Sequence, residues 1–93
     1  MNWRAIKSAI DNRNPAQLAE ALLPRFRGDN LDAELVAALG EFSVLDLKHA
    51  HAWSEDWLSE NDGRGSSHVA MSRLYQISRR VLREIGSATG ASP

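Results

Sequence analysis

Three histidines, His49, His51 and His68, are the side chains in this 93-residue chain best suited to proton transfer or metal binding. His49 and His51 are two positions apart, and the helical pattern around them turns them about 200° away from each other, so they do not share an ion. His51 and Glu55 stand at i and i+4, where two metal ligands can meet; a third would have to come from a distance, with His68 the obvious donor. The plainer role for His51 is a partly buried ring with a hydrogen-bond or ion-pair partner. Ser66, Ser67 and His68 are neighbours in sequence only. The chain has no G-x-S-x-G, no Walker loop, no G-x-G-x-x-G and no H-E-x-x-H; its Gly63-Arg64-Gly65 follows a helical pattern rather than a strand and lacks a P-loop lysine. There is no cysteine, hence no thiolate nucleophile, thiolate metal site or disulfide framework. The sequence therefore predicts a non-enzymatic protein with no catalytic residue, no cofactor and no metal centre.

Binding chemistry is better represented. Trp53 and Trp57 sit one helical turn apart within residues 43 to 61, and Asp46, Asp56 and Glu60 border them. Tryptophan is a frequent interface anchor, and an apolar centre with a charged rim is the arrangement interfaces favour. Farther along, Arg73, Arg79, Arg80 and Arg83 fall within about 120° of one another on a helical wheel. Guanidinium groups suit phosphate forks, so that face is a candidate for nucleic acid. A solvated face, or one paired with the acidic part of the chain, is the plainer explanation.

These side chains require helices to position them. From Ser43 to Asn61, Leu47, His51, Ser54 and Leu58 form one line at spacings of four, three and four; Ala50, Trp53 and Trp57 form a second beside it. With Val44 the arc covers about half the circumference, wider than the roughly 100° stripe of one core contact. Either this is a central helix touched on two sides, or the Leu line faces the core and the Trp line a partner. Ser43 is a good N-cap, with Asp46 three residues on. Before it, Trp3, Ile6 and Ile10 mark a first helix; Asn14, Pro15 and Gln17 start a second with Leu18 and Leu22, ended or kinked at Pro24, with a short extra turn to Arg27 and a stop at Gly28. Asp29 or Asn30 caps a third with Leu31, Leu35, Ala38, Leu39 and Phe42, closed near Gly40 and either separate from the next or one bent helix with it. Residues 61 to 67 read as a loop. Ser67 caps a last helix along Ala70, Leu74, Ile77, Val81 and Ile85, widened by Met71, Tyr75 and Leu82, which Gly86 ends. No strand signal competes. The expected fold is all-α, a compact bundle of four to five short helices, in one domain over residues 1 to 86 with a disordered tail from 87 to 93.

The net charge of −1 conceals an asymmetry. Residues 29 to 62 hold nine acids and one base, for −8; the rest holds ten bases and three acids, for +7. Internal pairing of the two halves is the plain explanation, and steering of a charged partner the alternative. A pI near 6.3 and acids at the start of the third helix count against nucleic acid. No apolar run approaches the roughly 20 residues that cross a bilayer, and the N-terminus carries no signal-like apolar stretch, so a cytoplasmic protein without membrane attachment is expected. Nine arginines to two lysines suggest a GC-rich bacterial or phage genome. The expected function is a small adaptor, regulator or inhibitor that binds another protein; a nucleic-acid-binding regulator using the Arg face is the alternative. An isologous homodimer joining acidic to basic surface is also compatible with these faces.

Overall fold

The computed structural model describes residues 2–22 and 30–88, with side chains through residue 86. The turn expected at Pro24 to Gly28, the alternative cap Asp29 and the tail beyond 88 lie outside the described residues. Those residues form five helices and no strand: α1 (Trp3–Asp11), α2 (Pro15–Leu22), α3 (Leu31–Leu39), α4 (Val44–Glu60) and α5 (Ser66–Ala88). The protein is a small all-α bundle.

Helix ends follow local chemistry closely. Asn2 Oδ1 accepts from the Arg4 amide at 3.0 Å, Asn14 Oδ1 from Gln17 at 3.1 Å, and Ser43 Oγ from Asp46 at 3.1 Å. Each satisfies an amide that the first turn leaves without a partner. The end of α1 is less ordinary. Asn14 donates to Ala9 O and Arg13 to Ile10 O, both at 3.0 Å, the paired closure that needs a left-handed residue. Arg13 takes that place with φ 51°, where glycine is usual and a side chain costs about 1–2 kcal/mol. α3 and α4 are separate helices, because the backbone tightens through Glu41 and Phe42 and is extended at Ser43 (ψ 160°). α5 begins one residue before the expected Ser67 cap, behind Gly65, whose φ of 122° is glycine territory. It also continues through Gly86 to Ala88. One interior glycine costs about 1 kcal/mol, which a helix of 23 residues can absorb.

The hub is α5, not α4. α5 packs against α4, α2 and α3, and α1 packs on α2. At 23 residues, α5 is roughly 34 Å long and spans the bundle. Ile6, Leu18, Leu22, Leu35, Leu39, Leu47, Met71 and Leu74 are fully buried, so every described helix contributes to one core. Two serines are sealed with them. Ser54 Oγ donates to His51 O at 2.8 Å and Ser78 Oγ to Tyr75 O at 3.1 Å, so each hydroxyl is satisfied on its own helix. Among the described residues, no helix is long and apolar enough to cross a membrane.

Candidate functional site

The α4 arc divides as it meets its neighbours. Leu47, Ala50 and Ser54 are buried, while Trp53, Trp57 and Leu58 are half-buried and packed against the core. Val44, counted with the apolar arc in sequence, is instead 44 % exposed; it sits on the first turn at the edge of the arc, beside Leu45 at 61 %. The Trp line is therefore neither sealed nor free. Each ring leans on a cation-capable group from elsewhere. The Arg13 guanidinium lies 5.9 Å from the Trp53 ring centroid, and the His68 ring lies 6.1 Å from that of Trp57 at a tilt of 56°. Arg13 is held there by its own bond to Ile10 O at 2.6 Å, so the left-handed backbone that ends α1 also places a guanidinium over Trp53. At the far end Asn61 fixes the last turn, donating from both its backbone and side-chain amides to Trp57 O at 2.9 Å.

The acidic rim is partly engaged. Asp46 is half-buried, and its charge acts on Lys7 of α1, whose direct partner is Asp11. The Lys7 ammonium is held above its ordinary pKa, first by its hydrogen bond to Asp11, then by the Asp11 charge, with Asp46 adding to it. Asp56 and Glu60 are exposed, and among the described residues neither carboxylate has a cation partner. A second aromatic contact lies where α1 meets the end of α3: Phe42 is buried in the core, as its place in the α3 seam implied, and Trp3 is half-buried against it. There Trp3 meets Phe42 edge-on at 6.2 Å, carries Arg4 at 4.9 Å, and lines an open groove with Ala37, Ala38, Glu34 and Glu41.

The arginines of α5 do not act as one set. Arg73 is half-buried and donates to Asp32 of α3 at 3.2 Å. That pair is one contact between the acidic segment and the basic face, and both side chains remain partly exposed. Arg80 is exposed and pairs with Glu84 on its own helix at 3.2 Å. Arg79 and Arg83 are exposed, and no described carboxylate pairs with them. With Tyr75, Gln76 and Arg80 they line a shallow concavity of ≈ 280 Å³.

His51 has the hydrogen-bond role its spacing allowed, with partners that sequence did not identify. Its ring stacks on Tyr75 at 4.9 Å and 19°, its Nδ1 meets Ser78 Oγ at 3.2 Å and its Nε2 lies 3.5 Å from Glu55 Oε2. Ser78, His51 and Glu55 thus line up as a nucleophile, a base and an acid would. The chemistry is otherwise: Ser78 is fully buried and donates its proton to Tyr75 O on its own helix, so the hydroxyl is held inside the packing rather than presented to a substrate. The cluster joins α4 to α5. Ser66 and Ser67 lie in the first turn of α5, and His68 is against Trp57. Among the described residues, no three His, Asp or Glu side chains gather as a metal-holding group.

No family model matches the chain, and no curated protein or solved structure is significantly similar to it. Sequence reasoning missed Arg13, His68 and Tyr75 as members of these surfaces. A non-glycine residue at the end of α1, just before the Asn14-Pro15 helix start, was the available signal for Arg13.

Proposed function

We propose that the protein is a small non-catalytic module that binds another protein through the Trp53–Trp57 flank of α4, acting as an adaptor, regulator or inhibitor of a larger bacterial or phage-host protein in the cytoplasm. One observation carries the reading: two indole rings a turn apart keep part of their surface outside after the bundle has closed, next to the unpaired carboxylates of Asp56 and Glu60. Rings held in place by their own protein lose little conformational entropy on docking, which favours them as anchors. The surrounding acids favour a partner with an apolar groove edged by Lys or Arg.

The test is affinity capture from a GC-rich bacterial lysate with three baits: wild type, Trp57→Ala, and Asp56→Lys with Glu60→Lys. Capture of one partner by wild type alone is the expected result, with helicity by circular dichroism retained in all three. The charge-reversed bait leaves the rings in place, so its failure to lose the partner would remove the rim from the interface. Loss of helicity in Trp57→Ala would assign that ring to the core and remove the anchor.

A further inference from the structure

We propose that the outer face of α5 is a binding site for a short single strand of nucleic acid, with phosphates on Arg79 and Arg83 and a base on Tyr75. This surface is distinct from the Trp flank of α4. Tyr75, Arg79 and Arg83 follow one another at i, i+4 and i+8, which puts them on one ridge about 12 Å long. The Cα atoms of the two arginines stand about 6 Å apart along the axis. Neither is paired with a described carboxylate, whereas Arg73 is tied to Asp32 and Arg80 to Glu84. Gln76 adds a neutral amide to the same concavity. Tyr75 is fixed from behind by the His51 stack, so a base can extend that stack with little loss of ring freedom. A row of cations ending in an aromatic platform is what a single-strand groove requires. An acidic peptide would engage the arginines but gain nothing from the ring plane. Glu84 and Glu55 are the nearby acids, and each already faces a partner on α5 or α4. The net charge of −1 opposes wrapping of a long polyanion, which confines the contact to this ridge.

Fluorescence anisotropy with a labelled oligothymidylate of about a dozen nucleotides tests this on the full chain. The expected result is saturable binding at low salt whose log K falls against log salt with a slope of about −1.4, the value for two neutralised phosphates on a single strand. An abasic strand of the same length should bind about tenfold more weakly, through loss of stacking. Arg79→Glu with Arg83→Glu should remove binding while helicity is kept, and Trp53→Ala should leave it unchanged. Any of three outcomes overturns the proposal: no anisotropy change at low salt, equal affinity for the abasic strand, or displacement of the oligonucleotide by polyglutamate at equal charge. The last result would make the ridge a site for acidic protein. The salt slope and the abasic strand need no variant, so both stand even if a substitution perturbs folding.

Discussion

The Trp flank of α4 and the Arg face of α5 were of equal standing as patterns on a wheel, yet folding treats them differently. The flank is drawn halfway into the bundle: Trp53 lies under Arg13, Trp57 beside His68, and Asp46 is half-buried. The α5 face stays outside, and only its edge residue, Arg73, is taken up, by Asp32. Apolar surface is absorbed wherever a neighbour comes within reach, because its burial is favourable and non-directional. Charge is left out unless a counter-charge stands at the right place, because desolvating it is costly. A surface that keeps some apolar area exposed is therefore informative by itself, whereas one that keeps its charges becomes so only beside a second feature, as Tyr75 stands beside Arg79 and Arg83.

Three substitutions sharpen or break that contrast. The largest effect is expected for Trp57→Ala. A half-buried indole contributes about 100 Å² of apolar contact, worth about 2.5 kcal/mol at about 25 cal/mol per Å². Urea denaturation followed by circular dichroism should show that loss; about 4 kcal/mol or more would be a core value, and the flank would no longer differ from Leu47 or Leu74. Next, Arg73→Ala should cost about 0.5 kcal/mol in the same assay, since the Asp32 pair is only half-buried. A cost as small for Arg73→Ala as for Arg79→Ala would return Arg73 to the solvated face. The smallest effect on stability is expected for Arg13→Gly. Relief of the left-handed strain, about 1–2 kcal/mol, is offset by loss of the Ile10 O bond and the contact with Trp53. The net change should lie within about 0.5 kcal/mol. The Trp53 indole N–H resonance should nevertheless shift in a ¹H–¹⁵N spectrum; an unmoved resonance would mean that Arg13 does not cover the ring.

Much of this protein could be read locally. Ser43, Asn14 and Asn2 cap helices because a short polar side chain beside unpaired amides needs no distant partner. The Leu47–Ser54 and Ala70–Val81 lines face inward because period and composition alone settle which face is apolar. The α5 Arg face is outside for the complementary reason. Three things could not be read that way. That α5 rather than α4 is the hub depends on which helices meet, and a wide arc says only that more than one neighbour is wanted. That Val44 is exposed while Trp53 and Trp57 are partly covered depends on where along α4 those neighbours reach. That Ser78 and Tyr75, some 27 and 24 positions from His51, complete its environment is a through-space fact with no periodicity behind it. Periodicity reports the direction in which a side chain leaves its own helix. What stands at the other end of that direction is decided only when the chain packs, as it is for the half-covered Trp53 and Trp57 and for Tyr75 against His51.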